Sequence, residues 1–213
     1  MPYGEALLLQ RALVERIAEE NRPGVFLLLE HPPVVTLGRG AKKEHLLLSE
    51  EALKKRGIEV YEVERGGDVT YHGPGQIVGY PLVNLRFWKK DVHAFLRSLE
   101  EVLIRFLAHF GVSAFRFPPY TGVWVERDGP RKIAAIGVAV RRWVTYHGFA
   151  LNIAPDLAPF GYIVPCGIRG FGVTALQEVL GRNFGRDDFQ KMKYLLAREF
   201  GEVFGFAMEE SYG

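Results

Sequence analysis

Cys166 is the one cysteine of the chain, and its setting, Ile163-Val164-Pro165-Cys166-Gly167-Ile168, puts a stiffening proline before the sulfur and a roomy glycine after it. A lone cysteine is ordinarily a small buried hydrophobe. A thiol at its usual pKa of about 8.5 is only a few per cent thiolate near neutral pH, so nucleophilic catalysis requires an activating neighbour. Two kinds are visible: a histidine, His72 or His147, and Lys132, which opens the otherwise apolar run Ile133-Ala134-Ala135-Ile136-Gly137. Desolvation lowers a lysine pKa and lets the amine exchange protons near neutrality. The competing expectation for Lys132 is a strand-end side chain that keeps its ammonium in water.

Ligand-binding groups are concentrated in Arg65-Gly66-Gly67-Asp68-Val69-Thr70-Tyr71-His72-Gly73-Pro74-Gly75-Gln76. Glycines allow the backbone to approach a ligand closely, while Arg65, Thr70, Tyr71 and His72 supply donors. The competing expectation is a long ordered loop between two strands. The segment matches neither Gly-x-Gly-x-x-Gly nor Gly-x-x-x-x-Gly-Lys-Ser/Thr, so ATP binding has no positive signal. A partial echo, Tyr146-His147-Gly148-Phe149-Ala150, lies in an apolar strand. There His147 reads first as a structural histidine, and Gly148 as a bulge or the close approach of a ligand.

The elements that must position these groups follow from periodicity and punctuation. Tyr3 to Glu19 reads as an amphipathic helix with Leu8, Ala12 and Leu13 on one face, followed by strands at Val25 to Glu30 and Val34 to Leu37 separated by His31-Pro32-Pro33. Ser49 caps a short helix that begins with Glu50 and Glu51 and ends with Lys54, Lys55 and Arg56 before Gly57, in keeping with the helix dipole. Ile58 to Val63 and Ile77 to Leu85 read as strands on either side of a glycine-rich loop, Arg65 to Gly75. Asp91 starts a helix that runs to Phe110, with Phe95, Leu99, Val102 and Phe106 at helical spacing and Gly111 as its stop. Strands follow at Val123 to Glu126, Ile133 to Val140 and Trp143 to Ile153, with Asp128-Gly129 as a hairpin turn. Asp187 to Phe204 is the closing helix, with Phe189, Met192, Leu196, Phe200 and Val203 inside.

Strands in consecutive runs favour a mixed or antiparallel sheet over a doubly wound one, so the fold class is α/β of the α+β type, one domain over 1–213. At 213 residues, 48% apolar and 24% charged, the chain can bury a sizeable core without a disulfide or metal staple. Its single cysteine excludes a disulfide framework and a Cys-based zinc cluster, and suits a reducing cytoplasm. Glu5, Arg11, Glu15 and Arg16 interrupt the first apolar stretch, which therefore reads as neither signal peptide nor membrane span. A formal net charge of +2 gives no nucleic-acid signature.

Taken in order, EHPPVVTLGR, RGGDVTYHGPGQIVGYP, KIAAIGVAVRRWVTYHGFALNI and PCGIRGFGVTAL closely resemble the octanoyl-[acyl carrier protein]:protein N-octanoyltransferases of lipoate biosynthesis, over nearly the whole chain. The resemblance implies a single domain related to biotin and lipoate ligase catalytic domains, with a mixed sheet flanked by helices. It implies Cys166 as acceptor of the acyl chain in thioester linkage and Lys132 as the lysine that tunes it. Substrate contacts carry over to Arg65, Gly66, Gly67, Asp68, Val69, Thr70, Tyr71 and His72, to Ala135, Ile136 and Gly137, and to Gly148, Phe149 and Ala150. It implies octanoyl-acyl carrier protein as donor, and as acceptors the lipoyl domains of 2-oxoacid dehydrogenase complexes and the H protein of glycine cleavage. No metal or cofactor is expected, because the donor thioester is already activated. The family often has Ser where this chain has Ala135 and Ala175. Small residues at Gly137, Gly148 and Ala150 are expected to open a slot for the acyl chain, with Arg65 to His72 as its lid.

Three other readings compete. They are an ATP-dependent lipoate or biotin ligase, an inert module that docks acyl carriers or lipoyl domains, and a cysteine thioesterase. Between Arg116 and Arg142, six basic residues (Arg116, Arg127, Arg131, Lys132, Arg141 and Arg142) face only Glu126 and Asp128. This excess is a candidate docking patch for an acidic carrier, with Arg141 and Arg142 on opposite faces of a strand.

Overall fold

Helix boundaries in the computed structural model, which describes residues 1–209, follow the local signals of the chain. The final four positions of the 1–213 domain lie outside the described residues. Helix α1 spans Tyr3–Glu19, the short α2 Glu50–Lys54, α3 Val92–Ala108, the short α4 Leu176–Leu180 and α5 Arg186–Phe204. Ser49 Oγ accepts the Ala52 N–H and Asp91 Oδ1 the Ala94 N–H, so both caps satisfy donors that a helix start leaves open. The inner face of α1 differs from the expected one. Tyr3, Ala6, Leu7, Gln10, Val14 and Ile17 are buried, whereas Leu8 is 67% exposed. The apolar residues of α1 spread around two faces, and packing rather than periodicity selects the buried one.

Among the described residues, nine strands form two sheets. They are β1 (Gly24–Leu29), β2 (Val34–Leu37), β3 (Glu59–Glu62), β4 (Val69–His72), β5 (Gln76–Val83), β6 (Ala114–Phe117), β7 (Tyr120–Glu126), β8 (Pro130–Arg141) and β9 (Val144–Asn152). The large sheet has the order β1-β5-β9-β8-β7-β6 and every pairing in it is antiparallel. The small sheet, β3-β2-β4, pairs β2 parallel to β3 and antiparallel to β4. The mixed character expected from the sequence therefore resides in the small sheet. Arg142 and Trp143, both with positive φ, make the two-residue turn that joins β8 to β9.

One face of the large sheet packs its apolar side chains, among them Ile77, Val123, Phe149 and Leu151, against Phe95, Leu99 and Phe106 of α3 and Met192, Leu196 and Phe200 of α5. The other face carries Val78, Tyr80, Leu82, Val144 and Ala150 against Ala6, Val14 and Ile17 of α1. The small sheet has its own cluster, Val35, Leu53, Val69 and Tyr71, onto which Phe160 and Ile163 fold from the segment that leads to Cys166. No helix among the described residues is long and apolar enough to cross a membrane.

Candidate active site

Lys132 owes its direction to an irregularity in β8. Val123 pairs with Ala134 but Trp124 pairs with Lys132, so β8 carries one extra residue at this point. A bulge shifts the alternation of side chains. Ile133 and Ala134, although consecutive, both enter the core under α3, and Lys132 emerges on the opposite face, that of Ala135 and Gly137. Without the extra residue, Lys132 would share the face of Ala134. Its Nζ donates to the Thr121 carbonyl at 3.1 Å and stands 5.0 Å from the centroid of the Trp124 ring. The backbone of Lys132 is clamped by Gly172 and Thr174 at 3.0 Å each.

Cys166 comes from the other sheet's side. The Lys43–His45 turn is stitched to its approach by Val164 N–H to His45 O at 2.8 Å and Leu47 N–H to Tyr162 O at 2.9 Å. Cys166 itself has φ +56 and ψ +17, a left-handed conformation that costs an L-residue roughly 1–2 kcal/mol. Gly167 follows at φ +69, where a Cβ would meet Asp68 Oδ2 at 2.6 Å. Asp68 in turn holds His45 Nδ1 at 2.6 Å and the Val69 N–H at 2.7 Å. Sequence reasoning missed His45, because its partner lies 23 positions away and no local pattern links them.

Both residues open into one cavity of about 300 Å³ between the sheets. Of the candidate ligand contacts, Arg65, Gly67, Asp68, Thr70 and His72 line it, as do Ala135, Ile136, Gly137, Gly148, Phe149 and Ala150. Gly66, Val69 and Tyr71 do not line it. Gly66 donates its N–H to Val138 O at 2.9 Å, Val69 is buried in the small-sheet cluster, and Tyr71 reaches only a minor neighbouring pocket. Tyr3, Tyr80, Pro119, Tyr120 and Thr121 also line the main cavity and carried no sequence signal.

The glycine-rich segment is a wall rather than a lid. Its second half is β4, buried throughout, and its first half is fastened by Arg39 N–H to Arg65 O and Gly40 N–H to Gly67 O at 3.0 Å each. Gly137 is bare because this wall crosses it: a Cβ there would meet Gly66 O at 2.7 Å. The bareness of Gly148 likewise serves the backbone of β5 at Gly79, so neither glycine is set aside for a ligand alone. Ala135 lines the cavity, whereas Ala175 is buried at the start of α4, away from it.

Arg65 is a buried cation facing this cavity, and no carboxylate among the described residues pairs with it. Thr36 on β2 holds it: Nη2 donates to the Thr36 carbonyl at 2.7 Å, and Nε and Nη2 donate to Thr36 Oγ1 at 3.2 and 2.9 Å. Burial pulls the Arg65 pKa down, and negative charge at Cys166 opposes that effect. Burial also pushes His147 down to about 4 and His72 well below its ordinary value, with Arg65 acting in the same direction on both. Two of the three candidate activators of Cys166 are therefore neutral imidazoles of low basicity at pH 7.

The basic stretch from Arg116 to Arg142 does not form one patch. Lys132 and Arg141 are nine positions apart on β8, about 30 Å at the rise of a strand. Arg116 pairs with Glu100 and Glu101, Arg127 with Glu178, and Arg141 and Arg142 both with Glu15. Arg142 has left the strand at φ +54, so the expected alternation with Arg141 is lost.

Residues 2–199 match the model of the lipoyl protein ligase A/B catalytic domain. An octanoyltransferase of Thermoanaerobacter sp. (strain X514) is 48% identical over 211 residues, covering 99% of this chain and 89% of the relative. The chain belongs to the octanoyltransferase family. Another octanoyltransferase, from Solibacter usitatus (strain Ellin6076), is 46% identical and covers 97% of this chain and 90% of its own. A solved archaeal bipartite lipoate protein ligase from Thermoplasma acidophilum superposes with a TM-score of 0.72 over 95% of this chain and 82% of that one, at 18% identity. That likeness concerns the fold, and it agrees with the single mixed α/β domain expected of an octanoyltransferase.

Proposed function

We propose that this protein moves an octanoyl group from octanoyl-acyl carrier protein, through a thioester on Cys166, to the side-chain amine of a specific lysine on a lipoyl domain. The observation that carries this reading is the opening of Cys166 and Lys132 into one cavity between the sheets, beside the fixed charge of Arg65. The Cys166 thiolate attacks the donor's thioester carbonyl, forming a new C–S bond. The tetrahedral intermediate expels the carrier's thiolate, which takes a proton from the Lys132 ammonium. In the second half, the acceptor amine attacks the Cys166 thioester, Lys132 takes the proton that nitrogen loses, and the C–S bond breaks to leave an amide and the Cys166 thiolate.

The energy for amide formation comes from the donor thioester, so the sequence of steps needs no nucleotide. Ala135 and Ala150 leave room for a linear chain, and Val78 and Ile168 line the same cavity with apolar surface. The acceptors are lipoyl domains of 2-oxoacid dehydrogenase complexes and the H protein of glycine cleavage, and the setting is the cytoplasm.

Intact-mass spectrometry after mixing with octanoyl-carrier tests the reading. One octanoyl mass per chain, removed by hydroxylamine and absent in Cys166→Ala, is the expected result. Turnover that requires ATP and magnesium, or binding with no covalent adduct, would overturn it.

A further inference from the structure

Glu100 is a fully buried carboxylate in α3, on the side of the large sheet opposite the cavity, and the chemistry above gives it no task. Its Oε1 accepts the Gly122 N–H at 3.0 Å, while its Oε2 accepts from Arg97 at 2.6 Å and Arg116 at 3.1 Å. The Gly122 N–H and the Thr121 carbonyl belong to one peptide unit, and that carbonyl accepts the Lys132 Nζ at 3.1 Å. A carboxylate therefore sits on one end of a peptide dipole and an amine on the other. Hydrogen bonds in series polarise one another, and an ionised acceptor strengthens the first of them. The junction tolerates no side chain: a Cβ on Gly122 would meet Ala134 O at 2.6 Å and Lys132 Cε at 3.3 Å.

We infer that Glu100 is the positioning residue of Lys132, fixing the amine through the Thr121–Gly122 peptide and raising its affinity for the proton, with Arg97 and Arg116 moderating that effect. The inference rests on the thiol and amine reading given above and names a further part of the same site. The Trp124 ring from β7 lies against the amine, and the other titratable and charged groups lining its cavity are Cys166 from its loop, Arg65 and Asp68 from the wall, and Tyr3, Tyr80, Tyr120, His72 and His147. No carboxylate among the described residues forms an ion pair with Nζ, so the peptide is its connection to negative charge. Holding the ammonium form in the resting protein keeps a proton ready for the departing carrier thiolate.

The test compares the full-length protein with Glu100→Gln and Arg97→Gln. The glutamine at 100 retains an acceptor for Gly122 but removes the charge. Arg97 is half exposed, so its replacement spares the core while leaving Glu100 less compensated. Competitive labelling with trace acetic anhydride, read by peptide mass spectrometry from about pH 6 to about pH 11, reports the apparent pKa of Lys132 without any activity. Single-turnover transfer from octanoyl-loaded protein to a lipoyl domain is followed over the same range. Glu100→Gln is expected to lower the apparent pKa by about one unit and Arg97→Gln to raise it by a smaller amount, with the lysine-dependent limb of transfer moving in step. A merely structural clamp would slow both variants and leave the labelling pKa in place, or move it the same way in both; either result would overturn the inference. A Glu100→Gln chain that fails to fold leaves the upward shift in Arg97→Gln as the deciding result. If the unaltered protein forms no octanoyl adduct, the thiol and amine reading fails by itself, and the labelling still decides the role of Glu100.

Discussion

Lowering the pH from 7 to 5 should destabilise this protein more than its carboxylates explain, because imidazoles are buried uncharged. His31 is pushed down to about 4 by burial, against a hydrogen bond to the Met1 carbonyl that acts the other way. His147 is pushed to about 4 by burial and by Arg65, and His72 moves in the same direction. In the unfolded chain each takes up a proton as pH falls through about 6.5, while in the folded protein His31 and His147 do not until about 4. The contribution is thus complete above pH 6.5 and lost as pH falls toward 4. For one group shifted from 6.5 to about 4, linkage gives a loss of about 2 kcal/mol between pH 7 and 5. His31 and His147 together give about 4 kcal/mol, a large share of a typical folding free energy of roughly 5–15 kcal/mol. Urea unfolding at pH 7, 6 and 5 measures this, and His147→Asn should remove about 2 kcal/mol of the difference. An unfolding free energy that stays level from pH 7 to pH 5, or a His147→Asn chain with the pH dependence of the unaltered protein, would refute the argument.

Cys166→Ser should fold and lose at least a thousandfold in transfer, since its hydroxyl is far less acidic than a thiol; near-normal turnover would exclude a covalent step at this position. Lys132→Arg keeps the charge but cannot exchange protons, so iodoacetamide alkylation of Cys166 should persist while single-turnover transfer to the lipoyl domain falls at least a hundredfold. Equal losses in the two assays would make Lys132 purely structural. Thr36→Val removes the hydroxyl that accepts two Arg65 donors, and iodoacetamide alkylation of Cys166 at pH 7 should slow about threefold. An unchanged rate would show that Arg65 keeps its place by its backbone contacts alone.

What could be read from the residues was what neighbouring residues decide. The Ser49 and Asp91 caps, the core stripe of α3 and the hairpin turn at Asp128-Gly129 depend on interactions within a few positions, and the structure has them where the pattern puts them. The buried face of α1, the strand β4 inside a glycine-rich segment and the strand β6 depend on partners far away in the chain. Val69–His72 is a strand because β2 lies beside it, which no local periodicity announces. The same holds within the site. Cys166, Lys132 and the wall are marked by unusual composition, whereas Thr36, His45 and Glu100 are ordinary residue types whose roles arise from contacts across 29, 23 and 22 positions. The bulge at Ile133 exists only relative to β7, so alternation read along β8 alone assigns Lys132 to the wrong face.

The thiol and the amine are delivered by different halves of the molecule. Cys166 rides on a segment fastened to the small sheet through His45 and Ile163, and Lys132 projects from the large sheet. Their separation is therefore a property of the seam between two bodies, not of either body's own strands. On the reading proposed above, a slight parting of that seam, with every strand and helix intact, would separate thiol from amine before it disturbed the architecture, and transfer activity would gauge how closely the two sheets are pressed together.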